Sequence, residues 1–126
     1  MDLIAEYISS VLELDNIDKT GYEKRKSVLR NNKLADRVRA IATEINSSHP
    51  QMKPEFYQLL FFKEGSVSRW AAHHILEVMD YDMECRKTAL KKIESVGTYG
   101  GGVEALGNKM WLDEWLKKHP EDRELL

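Results

Sequence analysis

Residues 56–76 read FYQLLFFKEGSVSRWAAHHIL, and the second half of that stretch decides the fold class. Advancing about 100° per residue as a helix, Val67, Trp70, Ala71, Ala72, His74, Ile75, Leu76, Val78 and Met79 cover well over half the circumference. Ser66, Arg69, His73, Glu77 and Asp80 share the remaining polar arc. A helix so widely apolar packs on several sides, as the inner helix of a stack does. Before it, Lys53 to Phe62 reads as another helix with Pro54 in its first turn, and Lys63 to Ser66 as a short connection containing Gly65. Two helices joined so closely pack antiparallel.

The same period runs outward in both directions, and no stretch alternates apolar and polar over more than a few residues. A first helix is expected from about Asp2 to Leu14, with Ile4, Tyr7, Ile8, Val11 and Leu12 on one stripe, followed by a loop at Asp15 to Asp18. A long basic helix follows from about Thr20 to Asn46. Its apolar phase shifts between Tyr22, Val28, Leu29 and Leu34, Val38, Ile41, Ile45, which predicts a bend or a break near Asn31 and Asn32. Asp82 is placed to cap a fifth helix carrying Ala89, Leu90, Ile93 and Val96 and ended by Gly97. Thr98 to Gly102 reads as a glycine-rich loop. A sixth helix, about Val103 to Lys118, holds Leu106, Met110, Trp111, Leu112 and Trp115, and Pro120 stops it before a polar tail, EDRELL. The expectation is an all-α fold of about six helices in one domain spanning residues 1–126: N-terminal helices to residue 50, two helical hairpins over 51–119, and the tail 120–126.

Composition narrows the function classes. At 126 residues, with 42% hydrophobic and 32% charged, the chain has the size of one globular domain with a generous charged surface. No apolar run approaches the roughly 20 residues that cross a bilayer, and the first residues, MDLIAEYISS, carry acids where a signal peptide carries positive charge. This predicts a cytoplasmic protein without a membrane partner, and the lone Cys85 suits reducing conditions. The net charge of −2 hides a segregation: Lys19 to Arg39 holds eight bases and two acids, a balance of +6, so the remainder carries −8. Such a chain either presents a basic helix to one partner and an acidic face to another, or pairs the two internally.

No residue pattern carries catalysis, a metal or a cofactor. His73 and His74 are adjacent, so on a helix they point about 100° apart and cannot converge on one ion. His74 falls in the apolar arc and reads as a core histidine, His73 as a surface residue. Gly100, Gly102 and Ala105 have the spacing of a dinucleotide turn, but a helix precedes them where that fingerprint needs a strand. Asp80, Asp82 and Glu84 begin like a calcium loop without its glycine or closing glutamate, and capping accounts for Asp82.

The Val-x-x-x-Ala-Ala-x-x-x-Leu pattern of Val67 to Leu76, with the leucine-bearing helix before it, NNKLADRVRAIATEI upstream and NKMWLDEWLKK downstream, resembles the small bacterial HEAT-like family called domain of unknown function 2019. The resemblance covers about Tyr22 to Lys118; it departs at Ser68, where such units commonly carry an arginine after the valine. It implies a short, right-handed HEAT-like stack of antiparallel hairpins. It also implies an immunity protein that binds and neutralises a bacterial toxin. The protein-binding surface is then expected on Arg69, His73, Glu77 and Asp80, with Tyr99 and Trp111. The alternative is a nucleic-acid binder: on a continuous helix Lys26, Arg30, Lys33 and Arg37 fall with Lys19 within an arc of roughly 60°, a stripe able to follow phosphates. A pI of about 6.1 is low for that role. Neither composition nor periodicity speaks to oligomeric state.

Overall fold

The structure, a computed structural model, describes residues 2–20 and 25–126, with the side chains of 18–20, 25 and 27 outside the description. Tyr22 and Lys24, read above as part of the basic segment, therefore lie outside the described residues. All regular structure among these residues is helical: α1 (Leu3–Thr20), α2 (Arg25–Ser48), α3 (Lys53–Tyr57), α4 (Val67–Glu77), α5 (Met83–Tyr99) and α6 (Gly102–Lys118), with 3₁₀ turns at Pro50–Met52, Gln58–Phe61 and Pro120–Leu125. None of the helices is long and apolar enough to cross a membrane.

Side-chain pairs fix how the helices run. Glu6 meets Arg37 and Glu13 meets Arg30, so α1 and α2 are antiparallel. Lys53, at the start of α3, receives the Tyr81 hydroxyl on its carbonyl at 2.8 Å and reaches the Asp80 carbonyl with its ammonium, which sets α3 antiparallel to α4. Arg86 at the start of α5 binds Asp122 beyond the end of α6. Three antiparallel hairpins thus follow one another, one more than the two expected, because α1 and α2 pair with each other. The even-numbered helices run parallel: Arg39 and Asn46 of α2 meet Glu77 at the end of α4 and Asp80 just beyond it, while Arg69, His73 and Glu77 of α4 meet Glu104, Asn108 and Trp111 of α6.

One apolar cluster joins residues from all six helices. Its centre is Tyr7, fully buried, with its ring edge-on to Phe56 at 4.9 Å and to His74 at 5.7 Å. The expected stripes of α1, α2 and α4 all point into this cluster; Val11, Val38, Ile41, Ala71 and Ile75 are completely covered.

Several sequence expectations are corrected. α1 does not stop at Leu14: the Asp15 carboxylate accepts the backbone N–H of Ser66 at 2.9 Å and its hydroxyl at 2.5 Å, so it does not compete for the local backbone and the helix continues to Thr20. Gly65, at φ +58°, makes that contact accessible, since a methyl group there would strike the Asp15 carboxylate. α2 has no break at Asn31 and Asn32, and Leu29, one of the residues out of phase, is exposed. The third segment alternates 3₁₀ and α geometry. Asp82 does cap α5, accepting from the Cys85 N–H at 2.9 Å. Gly97 does not end that helix. It lies inside it, where an added Cβ would sit 3.2 Å from the backbone nitrogen of Lys109, so its missing side chain lets α5 and α6 approach. The loop between them shrinks to Gly100 and Gly101, and the polar tail is a 3₁₀ turn whose Asp122 is buried, accepting from Arg86 and from the Trp115 indole, both at 2.8 Å.

Candidate functional site

α2, α4 and α6 frame a groove of about 500 Å³. Each contributes the polar face that its apolar stripe leaves over. Asp36 and Arg39 come from α2, Arg69, His73 and Glu77 from α4, and Glu104, Asn108 and Trp111 from α6. The half-buried Trp70 and the buried His74 lie along the floor. A second hollow of about 590 Å³, lined by Leu12, Asn16 and Glu64, continues it; the two share Asp15, Ser66, Arg69 and Glu104.

Within the groove the side chains are cross-linked. Glu77 receives the Arg39 guanidinium on one oxygen at 3.0 Å and the Trp111 indole N–H on the other at 2.7 Å, tying three helices through one carboxylate. Arg69 pairs with Glu104 where the two hollows meet. Nε2 of His73 donates to Oδ1 of Asn108 at 2.8 Å, and the His73 ring stands edge-on to Trp111 at 4.4 Å. Burial pushes the His73 imidazole down, against the opposing pull of Asn108 and Glu77, with Arg69 adding to the depression. Trp111 stacks on Trp115 at 5.0 Å and Trp115 on His119 at 4.0 Å, forming an aromatic ladder along α6.

Beneath the floor the Tyr7 hydroxyl lies 2.6 Å from Nδ1 of His74. Burial brings the His74 imidazole down to about 4 and raises the Tyr7 phenol, so a neutral ring and a neutral hydroxyl share this hydrogen bond. His74 is the core histidine expected from the sequence. His73, expected at the surface, is half-buried in the groove instead, because α6 covers the arc it sits on.

Arg69, His73, Glu77 and Trp111 therefore converge as one site. Asp80 does not join them: beyond the end of α4 its N–H donates to Asn46 at 2.8 Å. Tyr99 lies apart as well, 85% exposed at the last residue of α5. Sequence reading missed Asp36, Arg39, Glu104 and Asn108.

Two of the four cations of the basic stripe are neutralised by α1. Arg30 grips Glu13 with Nε and Nη2 at 2.6 and 3.0 Å, and Arg37 grips Glu6 at 2.6 and 2.8 Å. Hydrogen bonds from these guanidinium groups hold both glutamates below the usual carboxylate range. Lys26 and Lys33 remain exposed, and Lys19 belongs to α1.

Among the described residues no group of three or more His, Cys, Asp or Glu is placed to hold a metal ion. The chain matches no protein-family profile, no curated protein and no solved structure.

Proposed function

We propose that this chain is a non-catalytic protein-binding module, built as a short right-handed HEAT-like stack, whose groove between α2, α4 and α6 takes a segment of a partner protein. The observation that carries this reading is the convergence of Arg39, Arg69, His73, Glu77 and Trp111 from three helices on one groove of about 500 Å³. Parallel even-numbered helices in a row, each hairpin turned back on itself, support the stacked architecture. Such a groove supplies what interface anchors need: half-buried indoles for apolar contact and charges that select the partner. The family resemblance supports a toxin domain as that partner and a cytoplasmic immunity protein as the role.

The nucleic-acid alternative is weaker, because two of its four stripe cations, Arg30 and Arg37, already hold carboxylates with both oxygens engaged. At low salt, the chain is expected to show no retention on duplex or single-stranded DNA or on RNA. Retention that falls steeply with added salt and needs Lys26 and Lys33 would revive that alternative.

Co-expression with the product of the neighbouring gene tests the main reading. Capture of that product, relief of its toxicity, and loss of both on Ala35→Trp, which plugs the groove from α2, are expected. A neighbour that is neither toxic nor captured removes the toxin reading, and capture that ignores Ala35→Trp removes the groove.

A further inference from the structure

The groove's charge goes beyond the generic reading of a binding surface. The two hollows together present five carboxylates, Asp15, Asp36, Glu64, Glu77 and Glu104, against two guanidinium groups, Arg39 and Arg69. Each guanidinium is already held by a carboxylate of the groove itself, Arg39 by Glu77 and Arg69 by Glu104. Two minus five leaves −3, with His73 and His74 neutral. Asp15 accepts from Ser66, while Asp36 and Glu64 are exposed and make no ion pair or side-chain hydrogen bond among the described residues. An incoming phosphate or acidic segment meets no free cation among the described residues that line the two hollows. An incoming lysine or arginine meets the free Asp36 carboxylate in the hollow lined by the indoles of Trp70 and Trp111, which suit its methylene stem, and the free Glu64 carboxylate in the adjoining one.

We infer that the occupant of this groove is a basic polypeptide segment whose lysine or arginine side chains reach Asp36 and Glu64, an inference that rests on the groove being the binding surface. The continuity of the two hollows favours an extended chain over a compact small molecule. Arg69 and Glu104 line both hollows and are paired with each other, so this ion pair crosses the path of the segment. A basic side chain entering there takes over Glu104 and releases Arg69. Arg69 therefore acts as a built-in competitor for the ligand's own cations.

That role gives a test in which one ion pair is broken in two ways. Arg69→Ala removes the competitor and makes the groove more negative; Glu104→Gln removes a ligand carboxylate and leaves Arg69 behind. Binding of a short labelled peptide of alternating arginine and leucine, followed by fluorescence anisotropy at low ionic strength, is expected to tighten about two- to fivefold in the first variant and weaken by as much in the second. Asp36→Asn with Glu64→Gln is expected to weaken it about fivefold or more. Glu94→Gln and Asp113→Asn, which remove exposed acids outside the groove, are expected to change nothing. A structural effect of losing the ion pair would shift both variants in the same direction, and that result overturns the inference. It is overturned equally if the glutamate counterpart of the peptide binds as well, if the control variants weaken binding as much as the groove variants, or if spermidine alone displaces the peptide completely. Failure of the peptide while the neighbouring gene product is still captured through the groove removes only the basic ligand. Failure of both removes the binding module too.

Discussion

Opposite sides of α2 each carry arginine–carboxylate contacts, and the two sides are built differently. Toward α1, Arg30 and Arg37 each engage both oxygens of one glutamate in the forked geometry that suits a guanidinium. Toward α4, Arg39 touches a single oxygen of Glu77, whose other oxygen belongs to Trp111, and Asp36 nearby makes no ion pair among the described residues. In the first arrangement each guanidinium and its carboxylate already satisfy one another. The second holds helices in place while leaving charge on offer. The number of charges on a helix therefore says little about what it can bind; the way each one is already satisfied says much more.

The largest expected effect removes the support that both sides share. Tyr7→Ala is expected to cost about 3–5 kcal/mol, as for other large buried rings, read as a lower urea midpoint, and to loosen the α1–α2 face and the groove together. Tyr7→Phe keeps the ring and leaves Nδ1 of His74 without its partner, an expected loss of about 1–3 kcal/mol.

Acid separates the two regions next. The unfolded chain takes up the His74 proton near 6.5, whereas the fold resists it until about 4, mainly through burial, with Arg39 and His73 adding to that effect and Glu77 opposing it. The unfolded state therefore binds more protons across that window, and stability falls as pH drops through it, by about 3 kcal/mol in all. Glu6 and Glu13 behave oppositely in position: their pairing stabilises above the ordinary value of 4.5 and is lost only as pH falls through their depressed folded values. Urea melts at successive pH values should show the histidine window first, and His74→Gln should flatten that window alone.

At the C-terminal end, Asp122→Ala strands the Arg86 guanidinium and the Trp115 indole and is expected to cost about 1–3 kcal/mol in the same melts. The smallest effect is on the α1–α2 face. Glu6→Gln or Glu13→Gln is expected to cost about 0.2–1 kcal/mol, because these pairs lie near solvent, and to leave peptide binding in the groove unchanged. Loss of peptide affinity in these variants would erase the distinction between the two sides.

Much of the fold was legible, because burial leaves a helical period that survives in a single sequence. Val67, Ala71 and Ile75 announced α4, and Asp82 announced the start of α5. The groove was legible only in part. The polar arc of α4 gave Arg69, His73 and Glu77, but Asp36, Arg39, Glu104 and Asn108 occupy faces that look merely solvated until the neighbouring helix is known. One signal was present and unread: Glu6 and Glu13 are seven residues apart, as are Arg30 and Arg37, so an antiparallel pair of helices brings both into register at once. Gly97 misled because glycine marks helix ends and close crossings alike, and only the position of α6 separates the two.

That glycine also governs reach. The rim formed by Glu104, Asn108 and Trp111 stands where α6 stands, and α6 rests its backbone against the spot where Gly97 has only hydrogen. A single methyl at residue 97 would act as a shim, lifting the far wall by a few tenths of an ångström along a helix whose Trp111 answers to a carboxylate on α4. The aperture offered to a partner is thereby calibrated from behind, by an atom that is not there.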